Sequence, residues 1–210
     1  MAKRSRYGVH PGVAMIQDWI RTLKEKTGRS IDEWMTHIQN DGPPTEKERR
    51  DWLKGRYDLG ANKAWWLAER ATDGAVAFRE ESPETYLEAA EHYVTEQYAG
   101  KKKALRPIFE KLLDLGLALG KDVKACPCQT IVPLYRAHVF AQIKPTTNTR
   151  VDLGLALAKV PEAKIPKRLI DTGGKAKKDR ITHRIALIDA NEIDAFVTKW
   201  MKTAYDLDAK

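Results

Sequence analysis

The apolar positions in the N-terminal third of the chain repeat with the period of a helix. Ile16, Trp19, Ile20 and Leu23 fall at i, i+3, i+4 and i+7. That spacing predicts one apolar face on a helix from Pro11 to Thr27, which Gly28 would end. Ser30-Ile31-Asp32-Glu33 is a capping box, in which serine and glutamate each satisfy a backbone N–H of the first turn. The helix it opens carries Ile31, Trp34, Met35 and Ile38 and closes at Asp41-Gly42-Pro43-Pro44. A second box, Thr45-Glu46-Lys47-Glu48, opens a third helix with Trp52 and Leu53. After the turn Tyr57-Asp58-Leu59-Gly60, Asn62 can cap a fourth helix through Ala71, bearing Trp65, Trp66 and Leu67. Five of the six tryptophans lie in residues 11–72, enough large aromatic surface for a small helical core.

Further along, Asp73-Gly74 and Arg79-Glu80-Glu81 mark a linker, and Ser82-Pro83 starts a connecting helix to about Tyr98. A helix from Ala104 to Leu119 follows, ended by Gly120. The period then changes to two. Val139–Ile143 and Val151–Leu157 place aliphatic residues at alternate positions, separated by the turn formers Lys144-Pro145-Thr146-Thr147-Asn148-Thr149. Thr130–Tyr135 is a third strand, which Pro133 would push to a sheet edge. A short strand is expected near Leu169-Ile170, and Ile181–Ile188 alternates again. Asp189, with Glu192 three residues on, predicts the cap of a last helix bearing Ile193, Phe196, Val197, Trp200, Met201 and Tyr205. The expected fold is α+β. A helical bundle over 1–75 and a connecting segment over 76–103 lead to an antiparallel meander with flanking helices over 104–210.

Charge sharpens this division. Residues 1–100 hold 15 Lys+Arg against 17 Asp+Glu, net −2, whereas residues 101–210 hold 22 against 12, net +10. The surplus points to an anionic partner for the second half. The 42% hydrophobic and 31% charged shares are those of a globular protein, and no apolar run approaches the ~20 residues of a membrane span. The basic Met1–Arg6 is not followed by an apolar segment, so no secretory signal is expected and the expected compartment is the cytoplasm.

The candidate chemistry thins out when placed on these elements. Cys126-Pro127-Cys128 offers half a zinc site, with His138 and His183 as completing ligands, but zinc sites usually show two spaced ligand pairs. Two reduced thiols are the expected state, and no cofactor is expected. Glu33/His37 and Glu88/His92 are i,i+4 pairs, yet helical geometry turns both away from the apolar faces beside them. His183 shares the aliphatic face of its strand and reads as a hydrogen-bonded core residue, without a nucleophile to serve. The helices around Tyr57-Asp58-Leu59-Gly60 could form a helix-turn-helix presenting Asn62, Lys63 and Trp66 to a major groove. Any antiparallel helix pair uses such a turn, and this half is slightly acidic.

Several local phrases resemble a known family. Thr27–Trp34, Asp51-Trp52-Leu53 and Leu59-Gly60-Ala61-Asn62 are similar to a small bacterial helical domain of unknown function. Tyr98–Lys102, Leu105–Ile108, Phe140–Thr146, Thr149–Leu155 and Thr182-His183-Arg184 resemble a second domain, sometimes labelled a predicted transport protein. The resemblance implies a two-domain layout and carries no activity, substrate or catalytic residue.

What remains is the sheet face opposite the aliphatic one. Alternation assigns to it Arg136, His138, Phe140, Gln142, Lys144, Arg150, Asp152, Thr182 and Arg184. Arg136, Lys144, Arg150 and Arg184 would hold phosphates and Phe140 would stack a base. The Lys159–Lys178 loop would add a phosphate-tracking arm. The expected function is thus a non-catalytic binding protein for nucleic acid or another polyanion. The alternative is a small-molecule or protein-interaction domain with its ligand in the cleft between domains. With no paired catalytic groups, enzymatic activity is not expected.

Overall fold

A computed structural model of the chain describes residues 5–72 and 80–209. The linker expected from Asp73-Gly74 to Arg79 and the basic residues before Ser5 lie outside the described residues. The chain divides into two compact units, His10–Tyr86 and a second built from residues 5–9 with everything from Leu87 onward.

The first unit holds α1 (Pro11–Thr27), α2 (Ile31–Asp41), α3 (Glu46–Tyr57) and α4 (Ala61–Arg70). Both expected capping boxes are formed, at Ser30/Glu33 and Thr45/Glu48, and Gly28 ends α1 at φ 76°. Leu23, Trp34, Ile38, Leu53, Trp66 and Leu67 make its core. Two expectations need correcting. α4 begins after Gly60 with no side-chain cap, so Asn62 lies inside the helix. His37 is half-buried rather than solvated: its ring sits among Trp34, Trp52 and Tyr57 and bridges the Tyr57 hydroxyl and Asp41. Its apolar ring packs inward while both nitrogens keep polar partners, a balance that ~100° per residue alone does not foresee.

α5 (Pro83–Gln97) starts in the first unit and gives most of its length to the second. A 3₁₀ segment, Gly100–Leu105, then leads into α6 (Arg106–Leu117), so the helix expected from Ala104 begins in a tighter coil. The sheet has six antiparallel strands in the order β1-β2-β3-β4-β6-β5. They are β1 (Lys124–Ala125), β2 (Val132–Tyr135), β3 (Val139–Thr147), β4 (Arg150–Leu155), β5 (Ile170–Asp171) and β6 (His183–Leu187). α7 (Ala195–Leu207) closes the chain. Asp189 caps a 3₁₀ turn at Ala190–Glu192, and Asp194 caps α7 itself.

Register fixes the faces. Leu134 lies opposite Ala141, Ala141 opposite Leu155, Ile143 opposite Leu153, and Leu153 opposite Ile185. This aliphatic face packs on α6 and α7: a methyl group added at Gly116 would meet Leu134 at 2.5 Å and Met201 at 3.7 Å. Pro133 does not put β2 at the edge, because β1 pairs outside it and Cys126 N–H donates to Pro133 O at 3.0 Å. Residues 5–9 run along β1, with Gly8 N–H donating to Ala125 O at 2.9 Å. Burial there pushes the Tyr7 phenol up to about 12.

Candidate functional site

Alternation from the aliphatic face turns Gln142 and Lys144 of β3, Asp152 and Gly154 of β4, and Arg184 of β6 to the side away from α6 and α7. The ladder sets Lys144 opposite Asp152, Gln142 opposite Gly154, and Gly154 opposite Arg184. Gly154 is needed here, since a β-carbon would meet Ile181 Cγ2 at 2.7 Å and Gln142 Cγ at 2.8 Å.

Asp152 is the centre of this face. Its side chain is only 11% exposed, and it collects three donors. Arg184 Nη1 donates to Oδ1 at 2.9 Å, while Thr146 Oγ1 and Arg150 Nη2 donate to Oδ2 at 2.7 and 3.3 Å. Arg150 Nε also lies 3.0 Å from Oδ1. Two guanidiniums on one carboxylate leave a surplus positive charge at the surface, and exposed Lys144 stands beside it. Lys144 and Thr146 also line a groove of about 580 Å³ with Lys101, Lys102, Gln97 and Asn148. Lys102 Nζ donates to Pro145 O at 2.7 Å, and Gln97 Nε2 to Cys128 O at 2.7 Å.

The structure therefore brings together three of the five expected residues, Lys144, Arg150 and Arg184. Arg136 goes elsewhere. It bonds Asp122 at 2.7 Å, stacks over the Tyr205 ring at 4.1 Å and donates to Tyr205 O at 3.3 Å. This contact and the Tyr205 hydroxyl hold the Asp122 carboxyl below its ordinary range.

Phe140 is the clear departure from the expected face. It is fully buried and packs edge-on against Tyr205 with ring centroids 5.6 Å apart. The cause is a bulge: Leu134 pairs with Ala141 but Tyr135 pairs with Val139, so Phe140 is the extra residue. A bulge breaks strict alternation and rotates the side chain off the face that alternation assigns. Phe140 is therefore unavailable to stack a base. Trp66 is likewise buried, in the core of the first unit, and cannot read a DNA groove from there.

The remaining candidates are also placed. Cys126 is buried with its thiol pushed up to about 12, mainly by burial, and Cys128 is half-buried. His138 bonds Asp208, and His183 is buried with Nδ1 3.0 Å from Thr182 Oγ1. Among the described residues no group of three or more His, Cys, Asp and Glu side chains is placed to hold a metal. Glu88 and His92 are exposed on α5. Sequence reasoning missed Lys101 and Lys102 as part of the site. Their run after Gly100 reads as a helix end, and only the chain's return brings them to β3.

Fold and surface together define a two-unit α+β protein with a cationic cluster on an antiparallel sheet. Residues 94–208 match Domain of unknown function (DUF5655), and the chain belongs to that family. Residues 16–72 match Domain of unknown function (DUF4287). Neither description carries an activity. No curated protein and no solved structure matches the chain.

Proposed function

We propose that this is a non-catalytic binding protein whose C-terminal sheet holds a polyanion, with nucleic acid the leading class. The observation that supports it most directly is the cluster of Arg150 and Arg184 on Asp152, beside exposed Lys144. The carboxylate fixes both guanidiniums while leaving one charge in excess, so the donors are pre-oriented and still electropositive. Lys101 and Lys102 extend the positive surface along the adjoining groove. Without Phe140 as a stacking group, recognition rests on phosphate contacts and is sequence-independent.

The test is anisotropy of labelled single- and double-stranded oligonucleotides over a salt series. Neutralising about two or three phosphates of a single strand predicts a slope of roughly −1.5 to −2 in log K against log salt. Charge reversal at Arg150 and Arg184 should abolish binding. Lys144→Glu, at an exposed residue whose ammonium forms no ion pair or hydrogen bond among the described residues, should weaken it about tenfold. Absence of binding at low salt, or affinity untouched by Lys144→Glu, would overturn the proposal.

A further inference from the structure

A second cationic site lies at the far end of β4. It begins at Ala156, six residues beyond Arg150 and therefore about 20 Å away along an extended strand. The open pocket there has a volume of about 290 Å³. Ala156, Ala158, Ala204 and Leu207 supply an apolar lining, and Lys159, Lys175, Lys178 and Arg180 supply four positive charges against Asp179 and Asp208.

These charges are not equivalent. The Asp208 side chain is 2% exposed and already satisfied, accepting from Arg180 Nη2 at 2.8 Å and His138 N–H at 2.7 Å. Arg180 is thus committed to Asp208. Asp179 Oδ1 accepts from Ile181 N–H at 3.1 Å. The last carbonyls of α7 would repel an anion if bare. Two of them are held, Tyr205 O by Arg136 and Leu207 O by Lys159 Nζ at 3.2 Å. Lys175 and Lys178, also exposed, differ from Arg180 and Lys159 in their partners: among the described residues neither ammonium forms an ion pair or holds a carbonyl.

The loop that carries them is built rather than loose. Thr172 Oγ1 donates to Ile181 O at 2.9 Å, and Asp179 N–H donates to Gly174 O at 2.8 Å. Gly174 has no room for a side chain, since a β-carbon would lie 2.1 Å from Ile181 O. Lys178 itself is left-handed at φ 57°, a conformation that costs a non-glycine residue. The fold thus holds two unneutralised ammoniums at the mouth of a small pocket with an apolar lining.

We infer that this pocket binds a small phosphate monoester with a compact apolar body. The lining carries a surplus of two positive charges, which the phosphate dianion would balance. A volume of about 290 Å³ suits one small ligand rather than a polymer chain. The site is separate from the Asp152 cluster and does not depend on polyanion binding there.

The experiment is calorimetric titration of the full chain at low salt with phenyl phosphate, inorganic phosphate and phenol. Phenyl phosphate should saturate a single site, inorganic phosphate should bind at least about fivefold more weakly, and phenol should not bind. Lys175→Ala with Lys178→Ala should weaken phenyl phosphate at least tenfold, and Lys144→Glu should leave it unchanged. Both lysines are exposed, so this variant keeps its core and reads binding rather than folding. No saturable binding of phenyl phosphate up to about 10 mM would overturn the inference, as would equal affinity in the double lysine variant. Loss in Lys144→Glu would overturn it too, by moving the site to the sheet cluster.

Discussion

Asp152→Asn should move stability and polyanion affinity in opposite directions. The carboxylate is the buried member of its cluster, with an 11% exposed side chain, whereas Arg184 and Arg150 are 26% and 32% exposed. Removing one partner of a fully buried pair costs about 3–5 kcal/mol, and an exposed pair is worth about 0–1 kcal/mol. Here the removed charge is the buried one, but the guanidiniums left behind can turn to water, so the cost falls between these two cases and nearer the exposed one. Adding the lost Thr146 hydroxyl bond, we expect about 1–2 kcal/mol of destabilisation, or roughly 4–8 °C in Tm for the C-terminal unit. The same change adds one positive charge to the face. At about 6 Å in water a unit charge interacts with a phosphate by about 0.7 kcal/mol before screening, a two- to threefold gain in oligonucleotide affinity. Thermal unfolding by circular dichroism and anisotropy at fixed salt measure the two effects. An unchanged Tm would refute the reading of Asp152 as the organiser of the cluster. An affinity that falls in the folded variant would refute this expectation, in which the added charge outweighs the pre-orientation lost with the carboxylate.

Phe140→Ala should cost about 3–5 kcal/mol in denaturant unfolding, because the ring is fully buried against Tyr205. Phe140→Leu should restore most of that and bind oligonucleotide like the parent, an outcome a base-stacking role would not allow. His10 Nδ1 caps α1 by accepting from Gly12 N–H at 2.9 Å, and burial lowers its pKa from the ordinary value of about 6.5. The folded state therefore disfavours the proton. Stability of the helical unit should be full above about pH 6.5 and fall as pH drops through that value toward the lower folded pKa. In His10→Asn, which keeps a capping acceptor, the tryptophan-fluorescence unfolding midpoint should lose this dependence. Cys126, with a thiol near 12, should be about one part in ten thousand thiolate at pH 8. In the native protein it should resist iodoacetamide as read by mass spectrometry, and it should label once the chain is unfolded.

The helices of the first unit were legible because their signals are local. Pro11, Gly28 and the Ser30/Glu33 and Thr45/Glu48 boxes act within one turn, so the sequence alone determined where α1, α2 and α3 start. The same holds for the period-two runs of β3, β4 and β6, whose aliphatic residues form one face, and for Lys144, Arg150 and Arg184 on the other. Tertiary structure decided everything that depends on what lies across a strand or at the end of a return path. A pairing offset between β2 and β3 creates the bulge that buries Phe140, and no local spacing encodes an offset. Arg136 left the expected face because Asp122 and Tyr205, distant in sequence, meet it at the turn. Two-residue β1, too short to show a period, kept Pro133 off the edge. Asp152 became the centre of the site only when β6 delivered Arg184 and the β3 hairpin delivered Thr146. Caps and periodicity act over a few residues and can be read in a line, whereas register and charge pairing join residues tens of positions apart and exist only once the chain has closed on itself.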